Sequence, residues 1–382
     1  MNQTQSGLRQ RICLIGETNV GKSSLMNALT QENVSLVSDI AGTTTDTVIK
    51  PFELLGLGAV TFCDTAGFGD TTPLGQIRLQ RTLENIRTAD LILIVRAKSE
   101  ITPLDEMILN HVQEVKTPYL IVYNKSDLYT PPLNSLTVNT LTGEGVDNLK
   151  EKIKNTLLSN DNNELLKGLI KSKERILLIA PIDDSAPKGR LILPQVQVLR
   201  ECLDKHILTT VIQPEELETA LAIQTYDLII TDSRVLKEVA PYISDKSKLT
   251  TFSILFARAK GDFDILTEGL KTLDKLTDGD GILIAEACSH TTAQDDIARM
   301  MIPKLLKKYT QKELQIEFAK GKDFPSDLNR YKLIIQCGGC MLTRQEMQQR
   351  IQMAKNQQIA ITNYGLLIHK IILNEKKGIS DE

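Results

Sequence analysis

The chain has 382 residues, 41% hydrophobic and 24% charged, with a net charge of −3 and six cysteines. That length suits two or three domains, each with its own core. A pI near 6.0 gives no general electrostatic footprint for nucleic acid, and no run approaches the roughly 20 apolar residues of a membrane span. The polar start MNQTQSGLRQR lacks the apolar centre of a signal peptide. The expectation is a cytoplasmic protein with no nucleic-acid or membrane partner. In that reducing compartment, clustered cysteines point to metal before disulfides.

RICLIG (11–16) reads as a short buried strand. It runs into GETNVGKSS (16–24) and then the helical pattern SLMNALT, the strand, glycine loop and helix order of a P-loop. Gly16 and Gly21 let the backbone curl so that N–H groups face phosphate oxygens. Asn19, Val20, Gly21, Lys22, Ser23 and Ser24 are the phosphate-binding candidates, with Lys22 reaching the β and γ phosphates and Ser23 ligating magnesium. AGTTTD (41–46) resembles the first switch of Era and MnmE-like GTPases, with Thr44 at the magnesium-sensing position. VTFCDTAG (60–67) is a strand ending in D-x-x-G, where Asp64 holds magnesium through water and the Gly67 N–H senses the γ phosphate. Lys22, Thr44, Asp64 and Gly67 are therefore the catalytic candidates.

YLIVYNKSD (119–127) is another buried strand, ending in N-K-x-D with Asn124, Lys125 and Asp127. The Asp127 carboxylate can accept both donors of the guanine edge, which adenine does not offer, so GTP is expected. Asn19 and AGTTTD resemble GTPases activated by potassium, whose extra cation offsets transition-state charge. Phe68 stands where a water-orienting glutamine is usual, which predicts slow intrinsic hydrolysis. VNTLTGEGVDNL (138–149) departs from the usual guanine loop at Asn139 and Thr140. Arg96 reads by default as one half of a surface salt bridge.

After the polar stretch 155–174 the pattern restarts. ILLIA at 176 returns as ILIAEA at 282, YDLII at 226 returns as YKLII at 331, and TTFSILFARAKGD (250–262) reads as a strand matched by QQIAITNYGLLI (357–368). The expected fold class is α/β: a P-loop GTPase domain followed by two smaller α/β domains related by duplication. KLLKKYTQK (304–312) has the spacing of a solvated helix face. Cys13, Cys63 and Cys202 lie in apolar patterns and are expected in the core.

Cys288 in ACSH (287–290) and Cys337 and Cys340 in QCGGC (336–340) follow strands of the last unit, at the carboxyl ends where open sheets build sites. Three thiolates suit zinc, an iron–sulfur cluster or a redox pair; with His290 they form a Cys3His set.

The G-domain motifs, APKGRLILPQVQ (186–197), C-x-H at 288–290, Cys337 with Cys340, and ITNYG (361–365) together resemble the FeFe-hydrogenase maturation GTPases, the HydF family, over essentially the whole chain. The resemblance implies a GTPase domain over 1–160, a dimerisation domain over 172–262 and a 4Fe-4S domain over 270–382. It implies GTP, Mg2+, K+ (at Asn19) and a cluster on Cys288, Cys337 and Cys340, in a homodimer that carries a diiron subcluster precursor. Radical-SAM hydrogenase maturases would supply that precursor and apo FeFe-hydrogenase would receive it. Gln336 stands where the family has a ligand histidine, which leaves water, His290 or Asp295 for the fourth position. The alternatives are a tRNA- or ribosome-related GTPase with a structural zinc, and a GTPase whose cluster only senses oxidation.

Overall fold

The computed structural model describes residues 9–30, 48–65, 67, 73–159, 164–182, 191–287, 297–321 and 323–374. The chain forms two compact units, Met1–Asp161 and Asn162–Glu382. No helix among the described residues is long and apolar enough to cross a membrane.

In the first unit β1 (Gln10–Ile15), α1 (Lys22–Thr30), β2 (Val48–Leu54), β3 (Gly58–Asp64), α2 (Pro73–Thr88), β4 (Leu91–Arg96), α3 (Pro103–Val115), β5 (Tyr119–Tyr123), β6 (Leu136–Thr137) and α4 (Val146–Ser159) follow in order. The sheet runs β2-β3-β1-β4-β5-β6, parallel except where β2 meets β3. Helices cover both faces, so central strands are continuous apolar runs rather than alternating ones, and every residue of β4 is buried. One face packs Ile12, Leu14, Phe62 and Leu93 with α1 and α4. The other packs Cys13, Ile15, Cys63, Ile92 and Ile94 with α2 and α3. Cys13 and Cys63 are thus core residues, as is Cys202 in the second unit.

The second unit holds β7 (Arg175–Ile179), α5 (Leu193–Asp204), β8 (Leu208–Ile212), α6 (Leu217–Ile223), β9 (Leu228–Thr231), α7 (Leu236–Val239), β10 (Leu249–Thr251) and α8 (Phe252–Lys260). It continues through α9 (Phe263–Leu270), β11 (Gly281–Glu286), α10 (Ile302–Thr310), β12 (Gln315–Lys320), β13 (Leu333–Gln336), α11 (Arg344–Asn356), β14 (Ala360–Asn363) and α12 (Tyr364–Asn374). Its two parallel sheets are ordered β10-β9-β7-β8 and β12-β11-β13-β14. Both therefore place their strands in the order second, first, third, fourth.

The stretches 250–262 and 357–368 are not long strands. Each is a short strand followed by a helix, β10 with α8 and β14 with α12. The run FSILFA is apolar without a period, and such a run does not distinguish strand from buried helix. Helix α8 is apolar on nearly every side because it contacts α5, α11 and α12. Leu177, Ile179 and Ile229 of one sheet share a core with Ile282, Ile284, Leu333 and Ile335 of the other and with Leu367 and Ile371 of α12.

Gly269 of α9 passes so close to β14 that a Cβ there would overlap the backbone carbonyl of Ile361. Gly269→Ala is expected to lower stability by about 1–3 kcal/mol, the usual range for overpacking. Chemical denaturation followed by circular dichroism measures it, and an unchanged midpoint would contradict this packing.

Candidate functional site

Parallel strands bring the ends of β1, β3, β4 and β5 to one edge of the first unit. There Thr18, Asn19, Gly21, Lys22, Ser23, Ser24, Asp64, Thr65, Gly67, Arg78 and Lys125 line an open cleft of about 470 Å³. The loop leaves β1 through Gly16, where a Cβ would overlap Val95 O, and reaches α1 through Gly21 at φ 92°, where it would overlap the Asn124 amide. Asn19 at φ 65° takes the left-handed conformation between them. Lys22 is 7% exposed, and its Nζ donates to Gly16 O at 3.0 Å and Glu17 O at 2.8 Å, which aims the ammonium along the loop. Burial pushes its pKa down, against the pull of Asp64 and Glu17.

Ser23 Oγ donates to Asp64 Oδ2 at 2.5 Å. Asp64 Oδ1 is buried and has no hydrogen-bond partner among the described residues. Burial raises the Asp64 carboxyl above its ordinary range, while the Ser23 hydrogen bond and the Lys22 and Lys50 charges oppose it. A hydroxyl beside a carboxylate with a spare buried oxygen fits a hydrated magnesium ion, a hard cation that takes oxygen ligands. Gly67 lies against the loop: a side chain there would meet Thr18 Cα and the Lys22 ammonium.

The N-K-x-D segment braces the loop from behind. Asn124 Nδ2 donates to Val20 O at 3.0 Å and Lys125 Nζ to Asn19 O at 2.7 Å, with Val20 itself buried. Asp127 stands exposed beyond them, where a carboxylate can meet a base from solvent. Thr44, AGTTTD and Phe68 lie outside the described residues. The cleft also includes Thr18, Thr65 and Arg78, which the motifs did not single out. Thr18 sits inside the quoted loop, whereas nothing in the sequence marks Arg78, a residue of α2.

Arg96 is a correction. It is not on the surface but 6% exposed, with Nη2 donating to Glu100 O and to Asp105 Oδ2 at 3.2 Å. Asp105 also closes the N-terminal cap of α3: it accepts from Thr102 N at 3.0 Å while Thr102 Oγ1 accepts from Asp105 N at 3.2 Å, a reciprocal capping box.

In the second unit Cys337 follows β13 beside the end of β11, at the position where the strand order of an open sheet reverses. Its sulfur accepts from Ala287 N at 3.0 Å, Gly339 N at 3.4 Å and Gln336 Nε2 at 3.5 Å. Gly339 turns at φ 67°, and Cys337 and Cys340 are both partly exposed. N–H groups converging on one sulfur, with a second sulfur three residues on, fit an anionic metal–thiolate group. Cys288, His290 and Asp295 lie outside the described residues. Among the described residues no group of three potential ligands converges. Gln336, 1% exposed, is turned by Arg350 Nη1 on its Oε1 at 2.8 Å.

These features define a P-loop GTPase domain joined to a further α/β unit with a cysteine loop at a sheet end. Residues 11–125 match the model described as 50S ribosome-binding GTPase. Residues 165–261 match the hydrogen maturase F dimerization domain and 264–375 the hydrogen maturase F tetramerization domain. Those last two matches together take in more than half of the chain, which belongs to the hydrogen maturase F family.

Other similarities take in only part of the chain. The tRNA modification GTPase MnmE of Thermus thermophilus (strain ATCC 27634 / DSM 579) is 38% identical over 177 residues, 44% of this chain, and the match spans 39% of that relative's length. GTPase Der of Nitratidesulfovibrio vulgaris (strain ATCC 29579 / DSM 644 / CCUG 34227 / NCIMB 8303 / VKM B-1760 / Hildenborough) is 40% identical over 123 residues, 31% of this chain and 25% of the relative. Among solved structures, a probable GTP-binding protein engB is 18% identical with a TM-score of 0.33, covering 39% of this chain and 100% of that one. Era in complex with MgGDPNP and 16S ribosomal RNA is 19% identical with a TM-score of 0.34, covering 53% and 93%. Values this low say nothing about function.

Removing one member of a buried ion pair strands the other and costs about 3–5 kcal/mol. Arg96→Met is therefore expected to destabilise the first unit by that order, and Arg96→Met with Asp105→Leu to recover part of it. Denaturation midpoints give the comparison; an unaffected single variant would contradict a buried pair.

Proposed function

We propose that this protein hydrolyses GTP and acts as an iron–sulfur scaffold or carrier that delivers the diiron subcluster precursor to apo FeFe-hydrogenase. The observation that carries this reading is Cys337, its sulfur supported by N–H donors at a sheet switch point, within the region that matches hydrogen maturase F. In this reading residues 1–160 are the GTPase domain, 172–262 the dimerisation domain and 270–382 the cluster-binding domain. Domain descriptions that name dimerization and tetramerization support a homo-oligomer, a homodimer at least. Radical-SAM maturases would be the donors of the precursor, in the cytoplasm.

Within the nucleotide site, Lys22 would neutralise the β and γ phosphates and Ser23 and Asp64 would hold Mg2+, one directly and one through water, with Thr44 as a further ligand. The Gly67 N–H would register the γ phosphate, and Asn124, Lys125 and Asp127 would hold guanine. Asn19 would hold K+, which supplies positive charge to the transition state. GTP binding would reposition the switches and alter a partner interface.

Cys288, Cys337 and Cys340 would hold a 4Fe-4S cluster, which supplies a site where an iron ligand can exchange. Gln336, with its oxygen taken by Arg350, leaves the fourth position to water, His290 or Asp295. The translation-related reading draws on the MnmE and Der similarities, which take in 44% and 31% of this chain.

Two measurements test the proposal. Anaerobically reconstituted wild type is expected to hold about four irons and four sulfides with a reduced-cluster EPR signal that Cys337→Ser loses; stoichiometric zinc without a cluster would transfer support to the translation-related reading. GTP turnover is expected to rise when sodium is replaced by potassium, and Asn19→Ala to remove that difference. Equal wild-type rates in the two salts would eliminate the potassium site.

A further inference from the structure

The nucleotide cleft has a wall that no motif accounts for. Among its described lining residues three carry positive charge, Lys22, Lys125 and Arg78. Lys22 belongs to the P-loop, and Lys125 braces that loop through Asn19 O at 2.7 Å. Arg78 belongs to α2, outside every motif, and is half-buried.

The packing of α2 brings it there. Leu79, Leu83 and Ile86 are spaced as one helical face and lie against Cys13, Ile15 and Cys63 of the sheet. That apolar stripe fixes the rotation of the helix. Thr82, fully buried, donates its hydroxyl to Arg78 O at 3.0 Å, so Arg78 stands one turn before a sealed position and directly beside the stripe. Because α2 follows β3 in the chain, it approaches the cleft from the side of Asp64 and Gly67, which the reading above gives to magnesium and the γ phosphate. Lys125 comes from the guanine side.

Hydrolysis transfers the γ-phosphoryl group to water. The bond from phosphorus to the bridging oxygen of the departing GDP breaks, a bond to the water oxygen forms, and one water proton passes to a phosphoryl oxygen. Negative charge shifts onto the bridging and γ oxygens on the way, and catalysis of such a step is mostly positioning and electrostatic stabilisation. A planar guanidinium matches phosphate oxygens with paired N–H donors. Phe68 stands where a water-orienting glutamine is usual and has no hydrogen-bonding side chain, so donors for the reacting oxygens must come from elsewhere.

We propose that Arg78 is a catalytic residue of GTP hydrolysis, an arginine supplied by the chain's own α2 that donates to the γ-phosphoryl oxygens as charge builds on them. The inference rests on the GTPase reading above and adds a residue which that reading leaves out. It is separate from the potassium site at Asn19, which lies on the loop itself. A group that acts on the transition state more than on bound nucleotide affects turnover and spares affinity.

The test is single-turnover GTP hydrolysis by the full chain in magnesium and potassium, with the affinity for GDP and the binding of GDP with aluminium fluoride measured alongside. Arg78→Ala is expected to hydrolyse GTP at least about 100-fold more slowly, to bind GDP as wild type does and to lose the aluminium fluoride complex. Free guanidinium ion is expected to restore part of its turnover while leaving wild type unchanged. An alanine variant that turns over at the wild-type rate would overturn the proposal, and one that loses GDP affinity in step with turnover would make Arg78 a structural wall of the cleft. Should Arg78→Ala not reach the wild-type circular dichroism, Arg78→Gln, of similar length but neutral, decides by the same comparison. Wild type without GTP turnover would sink the GTPase reading itself, whereas wild type that turns over beside an unaffected variant sinks this inference alone.

Discussion

Parallel strands deliver their carboxyl ends, and the loops that follow, to a single edge of a sheet. In the first unit this alignment puts the loop after β1, Asp64 at the end of β3 and Asn124 just beyond β5 around one cleft, although more than a hundred residues separate the first from the last. In the second it sets Ala287, Cys337 and Asn363 side by side at the ends of β11, β13 and β14. No local interaction between these residues would assemble them. Hydrogen-bonded register does so, and the apolar faces of the strands, covered by helices, hold it.

What the sequence made legible follows from this. The P-loop could be read because glycines at fixed spacing are a backbone requirement, visible wherever the chain must turn at positive φ close to another strand. The N-K-x-D segment is legible for a different reason, the match of the Asp127 carboxylate to the two donors of the guanine edge; that Asn124 and Lys125 also brace the loop carbonyls is a finding of the structure. The recurrence of two α/β units is legible too, since buried parallel strands leave compact apolar runs that recur, whereas the strand order comes from the structure.

Other features depend on three-dimensional context. Helix α8 reads as a strand because burial on nearly all sides erases the helical period. Arg96 and Lys260 appear in the sequence only as charges, and nothing local says that one is sealed beneath a helix cap and the other held by the carbonyls of Gly339 and Leu342. Gln336 likewise gives no hint that a residue 14 positions on turns its amide. Arg78 joins the cleft from a helix whose sequence carries no motif.

Helix α8 belongs to neither sheet alone. It follows β10 in the chain and packs on α5, yet it also contacts α11 and α12 of the neighbouring sheet, and its terminal ammonium is spent on that neighbour's carbonyls. The two matching sheets are therefore welded by a component that neither could surrender. Whatever duplication or fusion brought them together, they are now heritable as a pair: recombination at the boundary between the two matched regions would strip an apolar helix of half its cover and leave a lysine charge without its cage.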